Sequence, residues 1–184
     1  MLSSFFILKL LLIIPWLLAL SVSDWRERRL PNLLVGIGAL CALAFHIGWN
    51  GMNGLGGILL SGLASSLFLL IPFLLRGAGA GDIKLLFACG LWVGLNDLIP
   101  FLFFTSIGGL ALGLGMLLKG MLTIARVKHW LHVIFDWHYD IKAGRAALPP
   151  RENSQRGVPF GIAISFGCVA TIVMRAYIEL LWRH

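Results

Sequence analysis

The sequence predicts an all-α, polytopic membrane protein with about six transmembrane helices, short loops and one longer cytoplasmic loop. Of its 184 residues, 59% are hydrophobic and only 12% are charged, and the mean hydropathy is +0.90. A soluble domain carries about 25% charged residues. The apolar runs are long and continuous rather than alternating, which favours helices over a β-barrel. Residues 1–184 are therefore predicted to form a single membrane domain.

Each predicted span is an apolar run bounded by turn-forming or charged residues. The fourth is short for a crossing, so we expect it to tilt, to thin the bilayer locally, or to begin within the glycine-rich turn before it. Tight turns at 51–54 and 96–97 predict antiparallel hairpins. Lys9 lies inside the first run rather than before it, which favours an uncleaved span over a signal peptide. The predicted spans are 5–22, 33–49, 55–75, 83–95, 98–118 and 159–181.

The distribution of lysine and arginine predicts the orientation. The loops at 24–32, 76–84 and 119–158 are basic, whereas those at 50–54 and 96–97 contain no lysine or arginine. Basic loops stay in the cytoplasm, so we expect both chain termini outside and the three basic loops inside. The basic residues behind the net charge of +7 are therefore interpreted as determinants of membrane orientation and as contacts for anionic lipids. Nucleic-acid binding is not expected.

The long loop at 119–158 holds its own amphipathic stretch. Trp130, Ile134, Trp137 and Ile141 lie three or four residues apart, which predicts an interfacial helix on the cytoplasmic leaflet. A polar connector at 144–157 is expected to follow it. Three histidines fall in the same region and are interpreted as side chains at a wet membrane interface: His129, His132 and His138. The pair His129–His132 could touch a metal, but no HExxH motif or set of carboxylate and histidine ligands accompanies it.

No metal site or cofactor is expected from the remaining sequence. Cys41, Cys89 and Cys168 are isolated in apolar segments and form no CxxC pair. They are interpreted as small core residues rather than as disulfide partners or metal ligands.

Two carboxylates stand out at predicted membrane borders. Asp82 follows a glycine-rich turn and precedes an apolar run, and Asp24 follows the first apolar run. A carboxylate at such a border is costly and calls for an explanation. Taken singly, Asp82 could be a helix N-cap and Asp24 a surface acid paired with nearby arginines. Together, at one depth, they could share a proton, one acting as a base towards water and the other as an acid.

Three motifs carry a resemblance to a known family. Asp24-Trp-Arg-Glu-Arg-Arg-Leu-Pro-Asn32, Gly79-Ala80-Gly81-Asp82 with Lys84, and Val158-Pro159-Phe160-Gly161 follow one another in order on a six-span frame. The first resembles the first-aspartate motif of type IV prepilin peptidases, in particular the short enzymes of tight-adherence pilus systems. The second is similar to their GxGD motif, and the third to the opening of their last helix.

The resemblance implies an aspartic endopeptidase of the bacterial cytoplasmic membrane. Such an enzyme removes the basic leader of type IV (Flp-like) prepilins or pseudopilins at the cytoplasmic face, with Asp24 and Asp82 as the catalytic pair. Longer members also carry CxxC motifs and methylate the new N-terminus, and this chain has no CxxC. The residues expected to bind substrate or support the motifs are Arg29, Pro31, Asn32, Gly79, Gly81, Lys84 and Pro159.

A proton-coupled transporter or an assembly subunit is the alternative. In that class the same aspartates would relay protons. Relay carboxylates usually lie in mid-span, whereas Asp24 and Asp82 lie at predicted borders, and the sequence shows no inverted repeat. The pattern therefore favours the peptidase.

Overall fold

The computed structural model describes residues 2–27, 29–74, 78–119 and 159–182, and within these ranges the chain forms helices and turns without a β-strand. The predicted all-α class is therefore confirmed. The helices are α1 (Leu2–Glu27), α2 (Asn32–Asn50), α3 (Leu55–Phe68), α4 (Leu70–Leu74), α5 (Ala80–Val93), α6 (Leu98–Leu118) and α7 (Phe160–Leu181).

Four of the described helical segments are long and apolar enough to cross a membrane. They are Ser4–Glu27, Asn32–Asn50, Leu95–Leu118 and Phe160–Leu181. By contrast, α3 and α5 have 14 residues each, so each is about 21 Å long at 1.5 Å per residue. The third and fourth predicted spans are thus helices shorter than a full crossing, in a protein that is polytopic as predicted.

Two helix boundaries differ from those predicted. Helix α1 continues to Glu27, so Asp24 lies in a helix and not in the predicted loop. The chain turns only near Pro31, because a proline disfavours helical geometry in the residue before it. The predicted span 55–75 is broken at Leu69. Pro72 follows within one turn, and proline clashes with the carbonyl four residues earlier.

Two glycines end helices in a conformation that other residues rarely adopt. Gly51 after α2 has φ +68° and Gly94 after α5 has φ +84°. Each is followed by a short 3₁₀ turn, at Met52–Gly54 and at Leu95–Asp97. The predicted turns at 51–54 and 96–97 are therefore present, and glycine supplies the positive φ that each requires.

Helix α5 forms the centre of the bundle and packs against α2, α3 and α7. Trp92 Nε1 donates to the Gly38 carbonyl of α2 at 3.0 Å, and Ser65 Oγ of α3 donates to the Leu86 carbonyl at 3.0 Å. The whole C-terminal part of the helix is buried. Its buried residues are Leu85, Leu86, Ala88, Cys89, Gly90, Leu91, Trp92 and Val93. Helix α5, which carries Asp82 in its first turn, is thus held on several sides.

One of the three cysteines is not in the core. Cys89 and Cys168 are buried, as expected, but Cys41 is exposed. The prediction for Cys41 is wrong because α2 contributes only one face to the bundle, with Val35, Gly38, Ala42 and His46 buried. An apolar segment therefore does not show which of its residues face inward.

The interfacial helix and the connector predicted in the loop 119–158 lie outside the described residues, as do His129, His132 and His138.

Gly90 offers a test of the packing around α5. A Cβ added to Gly90 would overlap Ser65 Oγ and lie 2.8 Å from the Ser61 carbonyl oxygen. We expect Gly90→Ala to destabilise the protein by about 1–3 kcal/mol, the usual cost of overpacking. The measurement is thermal unfolding in detergent. Gly56→Ala is the matched control, since its Cβ would meet nothing within 4 Å, and it should be neutral or stabilising. Equal unfolding temperatures for the two variants would contradict this packing.

Candidate active site

Asp24 lies in the last turn of α1 and is only 6% exposed. Its Oδ2 accepts a hydrogen bond from the backbone N–H of Gly161, at 2.9 Å. Gly161 is the second residue of α7, so its N–H is one of the four at a helix start that have no partner within the helix. The positive end of a helix also stabilises a carboxylate beside it. Asp24 is therefore held at the N-terminus of α7.

The start of α7 is shaped to admit this carboxylate. Pro159 precedes the helix and is buried, and its carbonyl accepts the Ile162 N–H at 3.3 Å. A Cβ on Gly161 would lie 2.7 Å from Asp24 Oδ2, closer than real contacts allow. Glycine at this position is thus what lets the backbone approach the Asp24 carboxylate. Asp24 Oδ2 could not stay where it is next to any larger residue.

Asp82 is the third residue of α5, and Gly79 rather than Asp82 is the N-cap. The possibility that Asp82 caps the helix directly is therefore corrected: its carboxylate reaches back, and Oδ2 accepts the Gly79 N–H at 3.0 Å. This is one half of a capping box, because glycine has no side chain to return the bond. A Cβ on Gly79 would lie 3.2 Å from Asp82 Oδ2, so glycine leaves room for the carboxylate.

The pKa of the Asp82 carboxyl is raised from 3.8 to about 6. Burial is the largest cause, because removal of water disfavours the charged form. The hydrogen bond from Gly79 opposes the shift, and the negative charge of Asp24 adds to it. The two carboxyl groups therefore act on each other electrostatically, and a proton on Asp82 persists well above the usual aspartate range.

Leu30 packs between the two helix starts that donate hydrogen bonds to the aspartates. Its Cβ would lie 3.2 Å from a Cβ on Gly81 of α5, and its Cδ2 would lie 3.2 Å from a Cβ on Gly161 of α7. One side chain thus holds the starts of α5 and α7 together, and glycine at both positions makes room for it. Sequence reasoning missed Leu30 and the role of Gly161, although both lie inside the quoted motifs.

The other predicted site residues lie at the same end of the bundle with differing roles. Lys84 Nζ donates to Asn32 Oδ1 at 3.0 Å, joining the starts of α5 and α2. The Pro31 carbonyl accepts the Val35 N–H at 3.1 Å and so begins α2. The Arg29 carbonyl accepts from Ser23 Oγ at 3.1 Å, and the exposed Arg29 guanidinium forms no ion pair with any residue that the structure describes.

The chemistry available at this end is that of carboxyl groups. One neutral and one ionised carboxyl can donate and accept protons in the same step. Within the described ranges, no cluster of three His, Cys, Asp or Glu side chains could hold a metal ion.

The coupling between the two aspartates can be tested without any substrate. In Asp24→Asn the pKa of Asp82 should fall from about 6, because a neighbouring negative charge is removed, but it should stay above 3.8 because burial remains. The measurement is the pH titration of the carboxyl C=O stretch by infrared spectroscopy. Asp97→Asn is the control, since Asp97 lies near Arg175 in the 3₁₀ turn that follows the C-terminal end of α5. An unchanged pKa in Asp24→Asn would show that the aspartates do not interact.

Comparison with known proteins identifies the family of the chain. The family model of the type IV leader peptidase family matches residues 11–114, a range that contains both Asp24 and Asp82 but not the start of α7. Searches of curated proteins and of solved structures gave no match. Because the matched range covers more than half of the 184 residues, the chain belongs to the type IV leader peptidase family.

Proposed function

We propose that this protein is an aspartic endopeptidase that removes the leader peptide of type IV (Flp-like) prepilins or pseudopilins, with Asp24 and Asp82 as its catalytic pair. The observation that carries the proposal is the placement of the two carboxyls. Each accepts a backbone N–H at the start of a helix, and the charge of Asp24 raises the pKa of Asp82. Membership of the leader peptidase family supports the reaction class.

The mechanism follows from one proton shared by two carboxyls. The ionised carboxylate removes a proton from water as the water oxygen attacks the scissile carbonyl carbon, and the neutral carboxyl donates its proton to the carbonyl oxygen. When the tetrahedral intermediate collapses, the C–N bond breaks, the leaving amine takes the proton held by the protonated carboxyl, and one hydroxyl group of the intermediate returns its proton to the other carboxylate. The starting protonation state is thereby restored. Because the groups are coupled, the two roles belong to the pair.

The raised pKa of Asp82 fits this chemistry. A carboxyl with the ordinary aspartate pKa of 3.8 would be almost entirely ionised in the cytoplasmic pH range. A pKa of about 6 keeps a measurable fraction neutral and able to donate. Burial is the main cause of the shift, so an apolar substrate that covers the site would favour the neutral acid further.

We further propose that the site lies at the cytoplasmic face of a bacterial inner membrane. Asp24 and Asp82 adjoin the basic loops at 24–32 and 76–84, and basic loops remain in the cytoplasm. A precursor with a basic leader and an apolar helix would present its cleavage site at this same border. A glycine before the scissile bond would loosen the helix and expose that bond to water. This arrangement makes a role in pilus biogenesis the expected biological context.

Asp24→Asn and Asp82→Asn should each abolish precursor cleavage while leaving the protein inserted and folded. Asparagine keeps the shape and can still accept a backbone N–H, but it cannot hold the shared proton or act as a general base. Because the two groups act as a unit, the double variant should be little worse than either single variant. The assay is conversion of a tagged prepilin to its mature form in membranes, with enzyme level measured in parallel.

Asp97→Asn serves as the matched control for this assay. It makes the same chemical change at an ion pair with Arg175 (3.8 Å), and such partly exposed pairs contribute little stability. Cleavage should be retained. Processing by Asp82→Asn at a rate comparable to the wild type would overturn the aspartic mechanism.

Gly161→Ala should impair catalysis without removing either aspartate. The added methyl group would lie 2.7 Å from Asp24 Oδ2 and would push the carboxylate out of place. A displacement of about 1 Å can cost about 100-fold in rate. Gly113→Ala in α6, whose Cβ would meet nothing within 4 Å, is the control and should cleave normally. Normal cleavage by Gly161→Ala would show that the Asp24–Gly161 contact has no part in the reaction.

A further inference from the structure

A groove on the surface of the bundle runs away from the aspartate pair. It lies between α2, α3 and α5 and has a volume of about 390 Å³. Gly36 and Ala39 of α2, Ser66 of α3 and Phe87 of α5 form its walls, and Lys84 and Asn32 lie at one end. Lys84 is two residues beyond Asp82, so this end of the groove adjoins the candidate active site.

Helix α2 lines the groove partly with small residues. A Cβ on Gly36 would meet nothing within 4 Å, whereas one on Gly38 of the same helix would overlap the Trp16 ring. Gly36 is thus a glycine that the fold itself does not require for packing. Small residues such as Gly36 and Ala39 let another helix approach the backbone closely within a membrane. The groove therefore fits a helix better than it fits a single acyl chain.

The charge of Lys84, at one end of the groove, is not neutralised by any described residue. Lys84 donates to the neutral amide oxygen of Asn32 at 3.0 Å, and among the described residues it forms no ion pair. A cation at the end of an apolar groove favours an occupant with one anion next to an apolar length. The Asn32 NH₂ group donates no hydrogen bond to any described residue, so it can donate to the same anion.

We propose that this groove docks the apolar helix of the precursor, with a carboxylate near the cytoplasmic end of that helix paired with Lys84. The inference rests on the proposed function and specifies how the substrate is held. From Asn32 to Ala39 the groove follows eight residues of α2, which span about 10 Å and match about two turns of an occupant. An occupant seated in this way has its polar end beside Asp82.

Filling the groove tests the docking surface. Gly36→Leu introduces a side chain where space is open, and Gly48→Leu makes the same change on the same helix, also with nothing within 4 Å, but outside the groove. With a tagged prepilin that the wild type cleaves, Gly36→Leu should lower kcat/KM at least 10-fold, mainly through KM. Gly48→Leu should behave as wild type. Unchanged cleavage by Gly36→Leu would overturn the proposal.

Charge exchange tests the role of Lys84. Lys84→Glu should lose most of its cleavage of a prepilin that carries a glutamate in the first two turns of its apolar helix. Replacement of that glutamate by lysine should restore cleavage by Lys84→Glu and weaken cleavage by the wild type. A purely structural role for Lys84 would give loss without rescue, and that result would contradict the pairing.

Cross-linking separates a substrate groove from a lipid site. In a Cys41→Ala, Asp82→Asn background, Ala39→Cys should form a disulfide with a cysteine in the apolar helix of the prepilin. Leu40→Cys, on the neighbouring exposed face, should not. Absence of that disulfide, together with loss of bound phosphatidylglycerol from Gly36→Leu in native mass spectrometry, would assign the groove to lipid. The proposed function fails separately, if Asp82→Asn still cleaves or if the wild type cleaves no prepilin.

Discussion

The hydrogen bond from the Gly161 N–H to Asp24 Oδ2 is the contact on which the rest of the site depends. It joins α1 to α7 across 137 positions of sequence. It satisfies a backbone donor that the helix cannot satisfy itself, and it places a carboxylate at the positive end of α7. Asp82 uses the same device at the start of α5, with Gly79 as donor. Two helix starts thus hold two acids at one end of the bundle, and Leu30 packs between them.

The placement of Asp82 has an energetic cost that the proposed proton-donating role would explain. Its pKa is about 6 in the folded protein against an ordinary value of 3.8, so the native state binds the proton more tightly than the unfolded state does. Stability from this group is therefore present at low pH and is lost as the pH rises from the unfolded value through about 6. The burial that surrounds α5 must offset this loss at neutral pH. In return, the site holds a neutral carboxyl that can donate a proton.

The class of the protein and the residues of the candidate site could be predicted from the sequence, but the contacts of those residues could not. Composition and long apolar runs predicted a helical membrane protein, because membrane insertion depends mainly on side-chain polarity. The alternation of basic loops predicted that Asp24 and Asp82 lie at the same end of the bundle. By contrast, Asp24 lies inside α1 because the helix ends later than hydropathy indicates, and Pro72 breaks a span that hydropathy alone shows as continuous. The roles of Gly161 and Leu30 depend on distances of about 3 Å between distant segments, which no local pattern encodes.

The claim that Asp24 and Asp82 form one site is tested most directly by cross-linking the two positions. In a variant with Asp24→Cys and Asp82→Cys, and with the three native cysteines replaced by alanine, a short bifunctional thiol reagent should join α1 to α5 in high yield. The joined protein would be recognised by mass spectrometry after proteolysis between the helices. Pairing Asp24→Cys with Asp97→Cys should give no cross-link. If both thiols at positions 24 and 82 react singly with maleimide and yet never join, the two carboxyls do not share a site.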